Sequence, residues 1–188
     1  MRKLIVKEWI TLDGVFDAQS MDQWNAPYHS DSRARCIIED MLGCDAILYG
    51  RHTYEMLMPY WSSLKNNEFG IADKLNSVAK YVVSTTLKKA EWNNTTIIRD
   101  NVIKEVQRLK KQPGNYILVD GSATLVHSLM EAGLVDEYRF LVHPVIMGSG
   151  KRFFAAENPM SKLQLVTSQA LDLGVLRLVY ETHSGNRL

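Results

Sequence analysis

Short apolar segments rich in β-branched residues alternate along this chain with segments of helical periodicity, and this alternation restricts the fold more than any other feature. The patterns predict strands at 3–10, 45–50, 81–84, 115–120 and 137–145, and helices at 51–61, 73–78, 101–111 and 122–132. A further helix, capped by Ser30 or Asp31, has its apolar positions between Ala34 and Leu42 and stops at Gly43. Two further strands, 163–171 and 175–181, predict a C-terminal hairpin. Such alternation is typical of an α/β fold with a mostly parallel central sheet and helices on both faces. The hairpin would add antiparallel strands at one edge.

Two segments follow neither period and are predicted as loops. Residues 11–28 are long and polar and include Gly14 and Pro27. Residues 148–152, with the sequence GSGKR, resemble half of a phosphate-binding loop but lead into no clear helix. We expect this second segment to form a rim loop over a site or an oligomer contact.

The composition excludes several classes of partner. The 188 residues carry 22 Lys and Arg against 21 Asp and Glu, and a net charge of +1 offers no broad positive field to nucleic acid. No apolar run approaches the ~18 residues of a membrane span, and the N-terminus lacks the apolar core of a signal peptide. Cys36 and Cys44 have no metal-ligand spacing and are interpreted as reduced thiols. We expect one domain over residues 1–188, located in the cytoplasm, with no metal, nucleic-acid or membrane partner.

Small and polar residues follow four predicted strands, at the ends where ligands bind in parallel sheets. They are Thr11 to Gly14, Gly50 to Glu55, Ser84 to Thr86 and Asp120 to Thr124. The helix start after Gly50 offers free N–H groups to an anion, and Arg51 and Thr53 would supplement them. Gly121 and Ser122 repeat this arrangement in a form that suits a pyrophosphate. The alternatives are a helix cap with a solvated arginine at the first place and tight helix-on-sheet packing at the second.

Longer motifs at these strand ends resemble the dihydrofolate-reductase-like superfamily, and within it the C-terminal reductase domain of riboflavin biosynthesis. They are TLDG at 11–14, GRHTYE at 50–55, VVSTTL at 82–87 and DGSATLVHSLMEAGLVDEYRFLVHPVIMGSGKRFF at 120–154. The resemblance implies a three-layer dihydrofolate-reductase-like fold with NADPH as cofactor. It also implies hydride transfer to a C=N or C=O group of a small pyrimidine- or pterin-like heterocycle, as in a 5-amino-6-(5-phosphoribosylamino)uracil reductase.

By the same resemblance, the cofactor lies along these strand ends. Arg51 and Thr53, after Gly50, would hold its 2′-phosphate end, and Ser84 and Thr85 would line its adenosine side. The pyrophosphate cradle would consist of Gly121, Ser122, Ala123, Thr124 and Leu125. The residues expected near the nicotinamide are the segment from Ile10 to Gly14, and Trp24.

Hydride transfer also requires a proton for the substrate heteroatom, and three carboxylates are candidate donors. Asp13 is explained equally well by the turn chemistry of an Asp-Gly pair. Asp31 is better explained as a helix cap. Asp120 follows a strand and matches an acidic position that contacts substrate in the riboflavin-pathway domain, so we expect it to be the strongest candidate.

A second function stays open from the sequence: a protein that binds NADP(H) without turnover and acts as a sensor or assembly module. Both functions predict cofactor binding, but only the reductase oxidises NADPH when a heterocycle is added. The closing strands carry Leu176, Leu178 and Val179, and an exposed edge there would need cover. We therefore expect a homodimer.

Overall fold

The computed structural model describes residues 1–154 and 160–182 of the chain. Its strands are β1 (Lys3–Thr11), β2 (Ala46–Gly50), β3 (Ala79–Val83), β4 (Thr95–Ile98), β5 (Tyr116–Val119), β6 (Glu137–His143), β7 (Leu163–Ala170) and β8 (Leu176–Thr182). Its α-helices are α1 (Met21–Trp24), α2 (Asp31–Gly43), α3 (Arg51–Trp61), α4 (Ala72–Ser77), α5 (Val102–Lys111) and α6 (Ala123–Glu131). Short 3-10 turns lie at Ala18–Ser20, Ala26–Tyr28, Glu68–Gly70 and Asp172–Gly174.

The described strands form one sheet in the order β4-β3-β2-β5-β1-β6-β8-β7. The strands from β4 to β6 are parallel to one another, and β8 and β7 continue the sheet as an antiparallel hairpin. This confirms the predicted α/β fold. Because β5 lies between β1 and β2, the residues that follow Thr11, Gly50 and Val119 meet at one edge of the sheet.

The pleat of the central strands divides the core into two apolar layers. Leu4 and Val6 face α5 and α6, whereas Ile5 between them faces α2, α3 and α4. All residues of β2 and β5 are buried, as expected for parallel strands covered on both faces. The result is the three-layer arrangement of helices, sheet and helices.

One strand was missed and another was predicted too late. β4 has only four residues and is half exposed, so its sequence carries no clear period. β3 starts at Ala79, two residues before the predicted start, because Lys80 is a buried strand residue. Its Nζ donates to the carbonyls of Leu75 at 2.6 Å and Val78 at 2.9 Å, an arrangement that sequence periodicity does not reveal.

The segment predicted as a loop, residues 11–28, contains α1 and two 3-10 turns. Trp24 is the buried residue of α1, and its indole Nε1 donates to the carbonyl of Asp17 at 3.3 Å. A single buried ring anchors this short helix, which explains why the sequence shows no amphipathic pattern here.

Two negative findings concern the part of the chain that the structure describes. None of its helices is both long and apolar enough to cross a membrane. Its His, Cys, Asp and Glu side chains form no group of three or more that could hold a metal ion. Cys36 and Cys44 are buried free thiols.

The Tyr54 hydroxyl supports the backbone that leads into β4. The side chain is 1% exposed, and its oxygen accepts the N–H groups of Glu91 at 3.0 Å and Trp92 at 2.9 Å. The ring packs beside Trp92 in the layer of α3 and α4. Tyr54 therefore belongs to the core, although it lies within the GRHTYE motif.

We predict that Tyr54→Phe lowers the free energy of unfolding by about 1–3 kcal/mol, because the Trp92 N–H would be left buried without an acceptor. Urea unfolding measures this change. Tyr60→Phe is the matched control on the same helix, since Tyr60 is 52% exposed, and it should change stability by less than about 0.5 kcal/mol. Equal losses in the two variants would contradict the role given to the Tyr54 hydroxyl.

Candidate active site

A cavity of about 440 Å³ lies at the edge of the sheet where β1 and β5 end and α3 and α6 begin. The predicted site residues that line it are Trp24, Thr53, Asp120, Gly121 and Ser122. They come from segments far apart in the sequence and meet because β1, β5 and β2 are neighbours in the sheet.

Two helix N-termini meet at the floor of this cavity. Gly50 precedes α3 and Ser122 precedes α6, and neither provides a side-chain cap within the described structure. The Gly50 N–H donates to the Gly121 carbonyl at 3.2 Å, which holds the two helix starts side by side. First-turn N–H groups have no partner within their own helix and attract anions. The floor therefore fits a diphosphate.

Gly50 and Gly121 allow the close approach of these two turns. A Cβ on Gly50 would lie 2.5 Å from Ser122 Oγ and 3.2 Å from the Ser122 backbone nitrogen. A Cβ on Gly121 would lie 2.6 Å from Thr53 Oγ1, and the φ of Gly121 is +64°, which L side chains rarely adopt. The peptide bond between Gly121 and Ser122 is cis. The floor thus consists of backbone and the hydroxyls of Thr53 and Ser122.

Arg51 begins α3 at the rim of the cavity rather than in its lining. Its Nη1 donates to Glu55 Oε2 at 2.9 Å, and its Nη2 lies 3.2 Å from His52 Nε2. The Arg51 side chain is 35% exposed, and ion pairs this exposed contribute little free energy. The guanidinium can therefore exchange Glu55 for a phosphate on a ligand.

The predicted adenosine residues lie after β3, outside the cavity lining. The Ser84 hydroxyl accepts the N–H groups of Thr86 at 3.2 Å and Leu87 at 2.9 Å, so it shapes the turn that follows the strand. Thr85 is exposed beside it. These contacts give Ser84 a structural role that the sequence motif alone does not separate from ligand binding.

The remaining predicted cofactor residues divide between core and surface. Ala123 and Leu125 are buried in the core, and Thr124 is exposed, so only the first two residues of the predicted pyrophosphate cradle reach the cavity. Ile10 is also part of the core. Gly14 has a φ of +80° and forms the turn after β1, outside the lining.

Three aromatic side chains, Trp9, Phe16 and Trp24, line the cavity. Trp24 is 1% exposed, and its ring meets that of His143 edge to face at 5.3 Å between centroids. Burial lowers the pKa of His143 to about 4, so this support is neutral. Flat apolar walls of this kind suit a planar heterocycle.

Three carboxyl groups line the cavity: Glu8 on β1, Asp17 in the segment after β1, and Asp120 directly after β5. Asp120 Oδ2 lies 3.4 Å from Lys7 Nζ. Glu8 is 7% exposed, and its Oε1 accepts the Gly121 N–H at 2.9 Å. Burial, and then the negative charge of Asp120, raise the pKa of Glu8 well above its ordinary value, against the opposing effects of Lys7 and the Gly121 N–H. The cavity therefore combines a carboxyl group paired with Lys7 and a buried carboxyl group whose pKa is raised.

The other two predicted proton donors serve elsewhere in the structure. The Asp13 carboxylate accepts the Thr11 hydroxyl at 2.6 Å and the N–H groups of Met147 at 3.2 Å and Gly148 at 2.9 Å. These bonds, that of Thr11 above all, lower the pKa of Asp13 to about 2, so Asp13 fastens a loop and holds no proton at neutral pH. Asp31 is exposed in the first turn of α2, outside the cavity, where a carboxylate favours the helix N-terminus.

The lining also contains residues that the sequence analysis did not select: Glu8, Trp9, Phe16, Asp17, Ala18, Gln19, Met21, His52, Met56, Leu57 and Lys151. The sequence contained a signal for Glu8, because Lys7 and Glu8 interrupt an apolar strand that is buried at the centre of the sheet. Lys151 belongs to the segment expected to form a rim loop, and it does reach the cavity.

Sequence comparison finds relatives along nearly the whole chain. The sequence model of the RibD C-terminal domain family matches residues 2–177. The uncharacterized protein YyaP of Bacillus subtilis is 31% identical over 192 residues, which cover 95% of this chain and 94% of that protein. A second Bacillus subtilis protein, YwjB, also uncharacterized, is 29% identical over 121 residues, 64% of each chain.

Solved structures share the architecture at low sequence identity. A putative riboflavin biosynthesis protein from Shewanella sp. PV-4 superposes with a TM-score of 0.72 at 16% identity, covering 96% of this chain and 99% of that one. A Thermotoga maritima diaminohydroxyphosphoribosylaminopyrimidine deaminase/5-amino-6-(5-phosphoribosylamino)uracil reductase superposes with a TM-score of 0.70 at 13% identity, covering 97% of this chain and 57% of that one. At these identities the likeness shows a common fold. Together with the family match over residues 2–177, it establishes that this chain belongs to the RibD C-terminal domain family and has the dihydrofolate-reductase-like fold.

Proposed function

We propose that this chain is an NADPH-dependent oxidoreductase that reduces a C=N or C=O group of a small pyrimidine- or pterin-like heterocycle. The observation that carries the proposal is the pair of uncapped helix N-termini on a bare backbone floor, beside aromatic walls. When bound, NADPH would supply a hydride from C4 of its nicotinamide. The protein supplies binding, orientation and exclusion of water.

Different residues would hold the two anionic groups of the cofactor, its pyrophosphate and its 2′-phosphate. Ser122 and Thr53 offer hydroxyl groups to the pyrophosphate, Gly121 leaves room for its close approach, and the two helix dipoles add positive potential. Arg51, free to leave Glu55, would pair with the 2′-phosphate that distinguishes NADPH from NADH.

The substrate class follows from the walls and the acids. Trp9, Phe16 and Trp24 contribute apolar wall to the cavity, and Asp120 can accept hydrogen bonds from the amino or ring N–H groups of a heterocycle. The Thermotoga maritima relative is described as a uracil-type reductase, which supports a pyrimidine of this kind. A sensor that binds NADP(H) without turnover has no need of a deeply buried carboxyl group in its cavity, so Glu8 favours the enzyme.

We predict that Arg51→Ala weakens NADPH binding roughly ten- to a hundredfold and leaves NADH binding unchanged, because a charge-assisted hydrogen bond to the 2′-phosphate is lost. Isothermal titration with each nucleotide measures the two affinities. The loss of NADPH absorbance on addition of pterins, aminopyrimidines or small carbonyl compounds then separates the enzyme from a sensor.

The matched control is Arg108→Ala, which removes an arginine from a comparable exposed ion pair with Glu105 on α5. It should leave both affinities at their wild-type values. If Arg51→Ala weakens the affinities for NADPH and NADH equally, Arg51 does not bind the 2′-phosphate. If the wild-type protein binds neither nucleotide, the proposed function is wrong.

We also propose that the β7–β8 hairpin pairs with a second copy of this chain. None of the eight residues of β7 is buried, and β7 contacts only β8 among the described strands, so its outer edge offers unpaired backbone groups. Leu165 is 49% exposed and Val166 52% exposed on this edge strand. A second copy would cover both the edge and the apolar side chains.

We predict that wild-type protein elutes as a dimer and that Leu165→Asp shifts it towards the monomer, because the new charge would be buried without a partner. Light scattering coupled to size exclusion measures the mass. Phe69→Asp is the control, since Phe69 is 64% exposed in the turn before α4 and its ring contacts are Tyr60 and Trp61 of α3, and it should keep the wild-type mass. A monomeric wild-type protein would disprove the proposed pairing.

A further inference from the structure

Glu8 has a free oxygen that the packing of the fold does not use. Its Oε1 accepts the Gly121 N–H at 2.9 Å, a bond that a glutamine would also make. Its Oε2 has no hydrogen-bond partner among residues 1–154 and 160–182 and is not one of the fully enclosed polar atoms found there. Because Glu8 lines the cavity, this oxygen is available to a bound ligand.

The charges around Glu8 favour its neutral form. Two charged groups act on it at close range: the negative charge of Asp120 raises the pKa of Glu8, and the positive charge of Lys7 opposes it by a smaller amount. Lys7 itself lies 3.4 Å from Asp120. Across the cavity lie Asp17, His52 and Lys151. Burial is the largest effect that raises the pKa of Glu8, followed by the negative charge of Asp120, so Glu8 keeps its proton to a higher pH than an ordinary glutamate does.

The other groups of the cavity fit the role of proton donor less well. Asp120 already faces the Lys7 ammonium at 3.4 Å. His52 and Lys151 are exposed, so neither is enclosed with a bound ligand as Glu8 is. Only Glu8 combines deep burial, a raised pKa and an unengaged oxygen in the part of the cavity that the structure describes.

Resting on the reductase function proposed above, we propose that Glu8 is the catalytic acid that protonates the substrate heteroatom from Oε2. The hydride forms a C–H bond at the substrate carbon, and the π-electron pair of the C=N or C=O bond moves to the heteroatom. That pair takes the proton as the O–H bond of Glu8 breaks. The Glu8 carboxylate regains a proton from solvent after product release, so one NADPH and one proton are consumed in each turnover.

The first variant that tests this is Glu8→Gln, which keeps an acceptor for the Gly121 N–H but has no acidic proton. With a dihydropterin as the C=N probe, we expect kcat to fall by about a hundredfold while the affinity for NADPH stays unchanged. In the wild type, the rate should fall as pH rises through the pKa of Glu8, because the acid loses its proton. This decline should be absent in the residual activity of Glu8→Gln.

A second readout needs neither cofactor nor turnover. The infrared spectrum of the unloaded wild-type protein at neutral pH should contain the carbonyl band of a protonated carboxylic acid, and Glu8→Gln should lack that band. Glu131→Gln is the control, since Glu131 is an exposed glutamate at the end of α6, and it should keep the band, the rate and the pH profile.

Asp120→Asn gives an independent test if Glu8→Gln folds poorly. It removes the negative charge that raises the pKa of Glu8. The infrared band should therefore disappear at a lower pH than in the wild type, and the rate should begin to fall at a lower pH. The donor role of Glu8 is overturned if the wild-type band is absent, or if Glu8→Gln keeps the wild-type rate and pH profile. Failure of the wild type to bind NADPH removes the reductase function and the donor role together, whereas normal binding with an ionised Glu8 removes the donor role alone.

Discussion

The parallel pairing of β5 with β1 on one side and β2 on the other positions every group of the candidate site. Parallel neighbours end at the same edge of a sheet, so the turns after these strands must share a small space. The hydrogen bond from the Gly50 N–H to the Gly121 carbonyl joins two of these closely packed turns. It brings two helix N-termini together and leaves the acids of β1 and β5 above them.

Much of this arrangement was accessible from the sequence. The apolar periodicity of the strands and helices predicted the three layers. In each helix the apolar residues lie on one face, and in the central strands they are buried on both faces of the sheet. The small residues after strands identified Thr53, Gly121 and Ser122 as cavity residues, because only backbone that approaches closely needs glycine there. β4 was missed because four half-exposed residues carry no measurable period.

The aromatic walls of the cavity and the position of Glu8 within it could not be derived from the sequence in this way. Phe16 and Trp24 lie in an irregular segment, and the direction of their side chains depends on tertiary contacts such as the bond from Trp24 Nε1 to the Asp17 carbonyl. Strand alternation assigns Glu8 to a face of the sheet, but only the position of the Gly121 N–H shows that this face opens into a cavity. An aspartate at position 13 is explained equally well by a turn or by catalysis. Its hydrogen bonds with Thr11 and with the loop at Gly148 show that it shapes the turn.

The floor and the walls of the cavity differ in what they can tolerate. Neither Gly50 nor Gly121 has space for a methyl group, and any side chain there would separate the two helix starts. The walls come from side chains of β1, α1 and α3, whose size can change without moving those turns. Proteins built on this plan can therefore change the shape of the cavity by exchanging wall residues while the two helix starts stay in place.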